Sequence, residues 1–308
     1  MQRCQICGKE IKDRPGRVYH PSCIKKMFGV KYFPAVVLSL SEIPQPPGKM
    51  EKMVSIASLQ PRTAMTLNRK KKQLEMTPNQ QEGEFILKSQ VQALKYLPEN
   101  QHTCMIIAAH MGTAVLPHCL VPLTDNSTAY MMRKAGKAKG ETAKQENFLQ
   151  LLDKRDRYSG DLVEIGEKLR HISDIPGLDV QLFFEIVMLS FLLGNSDIHF
   201  ESFAALFDEK GNARLSPAYD IVSSQLALPA VDDFATPMMG KTKNLKGMDF
   251  LAFSRNLGIP EKTYTRIFLR FFKGKRIIGR LIKDSPLGME EKLKFSDILN
   301  ERFKRLLG

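Results

Sequence analysis

A strongly apolar helical segment, residues 178–193, constrains this chain most, because so apolar a helix must lie in a core. A glycine–asparagine break ends it, and Asp197 and His199 follow at once on a loop. Further along, Asp220 follows a short strand and turn at residues 215–217. Loops held by rigid elements are where catalytic groups concentrate, so the two aspartates are candidate catalytic residues.

Two upstream segments strengthen this interpretation. Residues 55–62 (SIASLQPR) form a small-residue segment that can lie over phosphates, and residues 85–88 (FILK) predict a short strand ending in Lys88. An aspartate near glycine and asparagine is by itself most often a turn residue. The order of the four parts, however, is the one found in protein kinases. It consists of a small-residue loop, a strand lysine, a proton-accepting Asp and a magnesium-binding Asp.

With these segments in place, the chain resembles the HipA-like serine/threonine kinases of bacterial toxin–antitoxin systems. The resemblance runs from about Tyr19 to about residue 270, and it looks like the short HipT type, which lacks an extra N-terminal subdomain. It implies an α+β, two-lobed protein-kinase-like fold with a small β-rich N-lobe and a helical C-lobe. The matching segments are residues 55–62, 85–88, 97–100, 194–199 and 215–221.

The resemblance also implies roles for individual residues. Asp197 is the expected catalytic base, His199 braces its loop, and Asp220 is the expected magnesium ligand. Ser55 is the expected autophosphorylation site, with Ser58 as the second candidate. The expected ATP-binding residues are Ser55, Ile56, Ala57, Ser58, Gln60, Lys88 and Met132.

Several positions depart from the family pattern. Glu201 and Ser202 stand where a lysine and an asparagine are usual, and Gln101 replaces an acidic residue. A hydroxyl is a weaker magnesium ligand than an amide oxygen, whereas the carboxylate of Glu201 is a good one. The sequence therefore leaves two hypotheses open: an active kinase whose Mg²⁺ is held by Asp220, Ser202 and Glu201, or a pseudokinase or weak kinase that acts by binding nucleotide and partners.

The same resemblance implies the partners. They are ATP, a protein substrate for which the family suggests an aminoacyl-tRNA synthetase, a HipB-like DNA-binding antitoxin and a small HipS-like protein. No residue of the chain selects among substrates.

The N-terminal residues carry a separate pattern. Cys4 and Cys7 are followed, after 12 residues, by His20 and Cys23. Two such ligand pairs suit a tetrahedral Zn²⁺ site with three cysteines and one histidine. A metal-free hairpin is the alternative.

Composition narrows the class of protein. The net charge of +13 indicates either solubility alone or an acidic partner. Its basic clusters are not interleaved with aromatic residues, so direct nucleic-acid binding is not favoured, although a zinc-headed nucleic-acid binder stays a third hypothesis. The absence of a long apolar run, of a leader-like N-terminus and of many cysteines predicts a cytoplasmic protein outside the membrane.

The pattern divides the chain into a zinc-knuckle-like head (1–29), an N-lobe with the phosphate loop (30–132) and a helical C-lobe with the catalytic and metal loops (133–308). Residues 30–48 predict a linker. The predicted strands are 64–67, 73–76, 85–88, 119–123 and 129–132, and the predicted helices are 100–111, 148–152, 162–169, 178–193, 249–257, 261–272 and 295–307.

Overall fold

The structure is a computed structural model, and it describes residues 3–12, 16–44, 56–77, 83–136, 143–228 and 232–308, without the side chains of Ala57 and Ser58. Two sheets and a set of helices form two lobes. The β-rich lobe comes first along the chain, and the helical lobe follows it.

The first lobe is built on a six-stranded sheet in the order β1-β3-β2-β4-β6-β5. Strand β1 runs parallel to β3, and the other neighbours are antiparallel. The strands are β1 (Ala35–Val36), β2 (Arg62–Asn68), β3 (Gln73–Met76), β4 (Phe85–Lys88), β5 (His118–Pro122) and β6 (Thr128–Arg133).

Side chains alternate along each strand and so point to both faces of this sheet. Each face is covered by a helix. One face packs with the head helix α1 (Pro21–Phe28) in a cluster that includes Met27, Phe28, Phe85 and Met131. The helix α3 (Leu97–His110) shares the other large core cluster with Tyr130 of β6. The apolar side chains of the head thus belong to the core of the sheet.

The second lobe is mostly helical. Its central helix α6 (Pro176–Leu192) is buried along most of its length, as its apolar sequence requires, and starts at a proline. Helix α5 (Leu162–Ile172) starts with a capping box formed by Asp161 and Glu164. The remaining helices of the described chain are α2 (Ile56–Leu59), α4 (Phe148–Leu151), α5 (Leu162–Ile172), α6 (Pro176–Leu192), α7 (Ser224–Ala227), α8 (Gly247–Asn256), α9 (Glu261–Lys283) and α10 (Met289–Leu307).

A three-stranded antiparallel sheet, β7 (Lys144–Asn147), β8 (Ala204–Phe207) and β9 (Ala213–Leu215), lies in this lobe. The β8–β9 hairpin delivers the chain to residues 216–223. That segment runs beside residues 114–116, where Leu116 N–H donates to the Ala218 carbonyl at 3.0 Å and Ala218 N–H to the Ala114 carbonyl at 2.9 Å. The segment carrying Asp220 is therefore tied to the chain that leads from α3 into β5.

The predicted fold class, α+β with two kinase-like lobes, is confirmed, and three local predictions need correction. Residues 30–48 are not simply a linker, because residues 35–36 pair with β3; residues 45–48 lie outside the described chain. Helix α9 continues beyond residue 272, and α10 begins before residue 295. The division into residues 1–29, 30–132 and 133–308 stays a prediction.

Helix α9 runs past its predicted end and through Gly274. A glycine inside a helix lowers its intrinsic stability, yet a Cβ at Gly274 would lie 2.1 Å from Cε of Met111. The glycine permits close packing of α9 on the end of α3. None of the helices in the described ranges is long and apolar enough to span a membrane.

Candidate active site

The loop carrying Asp197 is fixed by backbone hydrogen bonds. Gly194 ends α6 with a φ of +66°, a conformation that glycine adopts readily. The Ser224 hydroxyl of α7 then accepts from the N–H groups of Ser196 and Asp197, at 2.6 and 3.2 Å. It also donates to the Gly194 carbonyl at 3.3 Å. One side chain of α7 thus positions both ends of the turn before Asp197.

Asp197 itself is only partly buried, so its carboxylate can meet a substrate. The Tyr158 hydroxyl donates to Asp197 Oδ1 at 2.8 Å. A hydrogen bond from a neighbouring hydroxyl fixes the orientation of the carboxylate.

His199 is buried behind Asp197 and is bonded within its own loop. Its Nδ1 accepts from Glu201 N–H at 3.2 Å, and its own N–H donates to the Ser202 hydroxyl at 3.1 Å. Burial lowers the pKa of His199 to about 4, against the charge of Asp220, so the ring is neutral at pH 7. These contacts match a bracing role.

Asp220 lies at the centre of a charged cluster. Its Oδ1 accepts from Lys88 Nζ at 2.6 Å and from Gln101 Nε2 at 2.8 Å, and its Oδ2 accepts from Arg62 at 3.1 Å. Arg62 and Lys88 are directly opposite each other on β2 and β4, which brings both to one carboxylate. Burial alone would raise the pKa of Asp220, but the charges of Lys88 and Arg62 outweigh it and hold the pKa at about 2.

Lys88 is almost fully buried, and burial lowers its pKa despite the neighbouring Asp220 carboxylate. A buried charge without a partner is costly, so the ion pair with Asp220 keeps both groups in place. The structure thus pairs Lys88 directly with Asp220. The sequence predicts these two residues for one site but not their contact.

Helix α3 clamps the Asp220 segment. Asn100 donates through Nδ2 to the Ser223 carbonyl at 2.9 Å and accepts from Ser223 N–H at 3.0 Å, a two-bond pairing with the backbone. Gln101, the next residue, reaches Asp220. The departure at Gln101 therefore supplies a neutral donor to the carboxylate.

One cleft brings most of the predicted site residues together. Its lining includes Lys88, Asp197, His199, Ser202 and Asp220. The other lining residues are Ile56, Gln60, Arg62, Gln101, Asn195 and Val222.

Two predicted residues do not line this cleft. Met132 packs in the core cluster beside α3, and the Glu201 carboxylate pairs with Arg157 at 3.0 Å. Ser55 lies outside the described residues, as do the side chains of Ala57 and Ser58, although the backbone of those two belongs to α2.

Sequence reasoning missed five contributors: Arg62, Asn100, Asn195, Tyr158 and Ser224. Arg62, Asn100 and Asn195 stand inside the matched segments, so their position was a usable signal. Asn195 was interpreted only as a helix break, and Tyr158 and Ser224 carry no motif.

Asn195 has a feature that bears on metal binding. It is 3% exposed, lines the cleft, and its Oδ1 has no hydrogen-bond partner in the described part of the chain. A buried, unsatisfied amide oxygen is costly unless a further group meets it. Asn195 and Asp220 both line the cleft, and amide and carboxylate oxygens are donors that fit Mg²⁺.

The predicted zinc ligands also converge, at the head. Cys4, Cys7, His20 and Cys23 place their ligand atoms within 4.8 Å of one another. They do not line the cleft.

A β-rich lobe, a helical lobe and a cleft holding a lysine and two aspartates define a protein-kinase-like α+β fold. Two solved structures share it. HipA in the Shewanella oneidensis MR-1 complex of HipA, HipB and operator DNA matches with a TM-score of 0.70 and 18% identity, over 86% of this chain and 68% of that one. The Helicobacter pylori proinflammatory kinase CtkA matches with a TM-score of 0.53 and 14% identity, over 76% and 90%.

The family model of the HipA-like C-terminal domain matches residues 54–274, and the chain belongs to this family. A provisionally named kinase of Haemophilus influenzae is 23% identical over 98% of this chain and 92% of its own length. The provisionally named kinase Y4mE of Sinorhizobium fredii is 26% identical over 56% of this chain, which spans only 44% of that protein. The resemblance to HipA-like kinases is thereby confirmed.

Proposed function

We propose that this protein is an ATP-dependent serine/threonine protein kinase that acts as the toxin of a bacterial HipA-type toxin–antitoxin system. The observation that carries the proposal is the convergence of Lys88, Asp197 and Asp220 on one cleft. Phosphoryl transfer requires a proton acceptor for the attacking hydroxyl and a carboxylate for the metal, and it depends mainly on positioning and charge neutralisation.

In this proposal Asp197 accepts the proton of the substrate hydroxyl. Its partly exposed carboxylate and the Tyr158 hydrogen bond support that role. His199, neutral and bonded within the loop, holds the loop geometry.

ATP and Mg²⁺ are the proposed cofactors, and bound together they supply the γ-phosphoryl group and neutralise its charge. Asp220 and the Asn195 amide oxygen would hold the metal. An ionised carboxylate accepts at roughly four positions; Lys88, Gln101 and Arg62 use three of those on Asp220. Lys88 and Arg62 would bind the phosphates, beside Ile56 and Gln60 from the matched segment.

Autophosphorylation is proposed at Ser55, with Ser58 as the second candidate. Ser55 directly precedes Ile56, which lines the cleft, and Ser58 follows Ile56 by two positions. A phosphate there would add about −1.5 to −2 charges beside the ATP phosphates and favour a different arrangement of the segment.

The proposed partners follow from the family. They are a HipB-like antitoxin, a protein substrate such as an aminoacyl-tRNA synthetase, and a small HipS-like protein. The HipA neighbour is found in complex with HipB and operator DNA.

The test is inducible expression of wild type and Asp197→Asn in bacteria at matched abundance. Wild type should arrest growth, and the variant should not, because it lacks the proton acceptor. The purified variant should bind Mg-ATP with unchanged affinity, since Asp197 does not hold the metal. Equal arrest by both proteins would overturn the proposal.

A pseudokinase is the second candidate function, and the engagement of Asp220 by three donors favours it. On that hypothesis Asp197→Asn has no effect on growth arrest, and neither protein transfers phosphate.

A further inference from the structure

The head holds a second cluster of reactive side chains, outside the cleft. Cys4, Cys7, His20 and Cys23 place one ligand atom each within 4.8 Å of all the others. Within the described ranges, no other group of three or more His, Cys, Asp or Glu side chains converges in this way.

The backbone presents these ligands in two rigid pairs. Cys4 and Cys7 lie on a tight turn, in which Gly8 N–H donates to the Cys4 carbonyl at 2.8 Å and Cys4 N–H to the Lys9 carbonyl at 2.9 Å. Gly8 closes the turn with a φ of +68°, which favours glycine. His20 and Cys23 lie at the start of α1, where a helix fixes their relative positions.

The two pairs are already oriented toward each other. His20 N–H donates to Cys4 Sγ at 3.3 Å. His20 Nδ1 lies 3.4 Å from Cys7 Sγ and 3.8 Å from Cys23 Sγ. The imidazole thus stands between the thiols.

The hydrogen bond made by the second ring nitrogen of His20, Nε2, shows which tautomer is present. His20 Nε2 lies 3.2 Å from the Glu10 carbonyl oxygen. A carbonyl can only accept, so Nε2 carries the proton and the Nδ1 lone pair faces the three thiols. Metal-binding histidines are oriented by this kind of bond from their second ring nitrogen.

We propose that Cys4, Cys7, His20 and Cys23 bind one Zn²⁺ in a closed tetrahedral structural site. Three thiolates and one imidazole are a typical zinc ligand set, and four protein ligands leave no position for a substrate. A disulfide would use only two of the three thiols and leave the oriented imidazole without a role. This inference does not depend on kinase activity.

The site would stabilise the docking of the head. Tyr19 donates to the Leu120 carbonyl at 2.8 Å, and Leu120 N–H donates to the Gln5 carbonyl at 3.2 Å, which joins the head to β5. Arg3, beside Cys4, pairs with Asp284 at the end of α9. The head therefore contacts both lobes, and metal loss should loosen these contacts.

Metal analysis of the full chain, purified under reducing conditions without chelator, tests the site. Wild type should contain near one zinc per chain, and Cys23→Ala should lose it. Cys119→Ala is the matched control, since Cys119 is a buried cysteine of β5 outside the cluster, and it should keep its zinc.

A ligand exchange and a spectroscopic probe cover the case in which Cys23→Ala fails to fold. His20→Cys keeps four ligands by replacing the imidazole with a fourth thiolate, and it should keep zinc. Cobalt-loaded wild type should give thiolate-to-cobalt charge-transfer absorption typical of tetrahedral sites. Zinc-free wild type with a protected head in hydrogen exchange, or a disulfide within the cluster, would overturn the proposal.

Discussion

At the scale of single residues, the site is organised by the Asp220 carboxylate. Lys88, Arg62 and Gln101 hold it, and its pKa of about 2 keeps it ionised at pH 7. The neighbouring loop that carries Asp197 differs in character, because Asp197 is only partly buried and His199 is neutral. The two aspartates thus have environments suited to different roles.

The departures at Glu201 and Ser202 lead to a prediction. Ser202 lines the cleft, whereas the Glu201 carboxylate pairs with Arg157. Ser202→Asn should raise phosphoryl transfer and lower the magnesium concentration for half-maximal rate, because an amide oxygen reaches further and binds better. Glu201→Gln should leave the magnesium dependence unchanged.

A magnesium titration of the transfer rate for wild type and both variants measures this. Loss of activity in Glu201→Gln alone, restored by high magnesium, would instead assign the metal to Glu201.

At the scale of elements, the cleft is built by short segments that are far apart in the sequence. Helix α3 clamps the Asp220 segment through Asn100, and α7 clamps the Asp197 loop through Ser224. The strands β2 and β4 bring Arg62 and Lys88 together.

Ser224 gives a prediction at this scale. Ser224→Ala leaves the N–H groups of Ser196 and Asp197 without their acceptor, and an unsatisfied donor costs about 1–3 kcal/mol. Loop arrangements in which these donors find other partners move Asp197 out of position. A shift of about 1.4 kcal/mol toward them lowers the transfer rate about tenfold, with unchanged ATP affinity.

Ser196→Ala is the matched control, because the Ser196 hydroxyl has no hydrogen-bond partner among the described residues. Rates and ATP affinities of the two variants are compared. Equal rates would contradict a positioning role for Ser224.

At the scale of the whole molecule, the fold buries three neutral histidines, His102, His118 and His199. Burial lowers the pKa of His118 and of His199 to about 4, and that of His102 well below its usual value. Because these folded-state values lie below the unfolded value of 6.5, the unfolded chain binds more protons between pH 6.5 and 4. Stability is therefore full above this range and is lost as the pH falls through it.

His118→Leu should make that loss smaller. For a shift of this size, the free energy of unfolding falls by on the order of 2 kcal/mol per histidine between pH 7 and 5. Urea unfolding of wild type and variant at both pH values measures the difference. The variant is expected to have the lower stability at pH 7, since the bond from His118 Nδ1 to the Leu116 carbonyl is lost. Identical pH dependence in the two proteins would contradict the account.

Much of this organisation could be predicted from sequence because it is local. The apolar α6, its glycine end and the Asp197 loop are contiguous, and Lys88 ends a recognisable strand. The contacts among Arg62, Gln101 and Asp220 depend on strand order and on helix packing, which no local pattern encodes. For that reason the sequence presented Gln101 only as the loss of an acidic residue, although its side chain donates a hydrogen bond to the Asp220 carboxylate.

Elements with mixed signals were harder to predict. Helix α9 contains Gly274, which lowers intrinsic helix stability, and the residue that explains this glycine, Met111, is distant in sequence. The first turns of α10 are largely exposed, with the surface pair Glu290–Lys294 at 2.6 Å, and their sequence gives no apolar periodicity that marks the helix start.

The central claim is that this cleft transfers phosphate, and intact mass of the purified chain after incubation with Mg-ATP tests it most directly. The account predicts that wild type gains the mass of at least one phosphoryl group, on a peptide containing Ser55 or Ser58, and that Asp197→Asn gains none. An unchanged wild-type mass, with Mg-ATP binding demonstrated on the same sample, would contradict it.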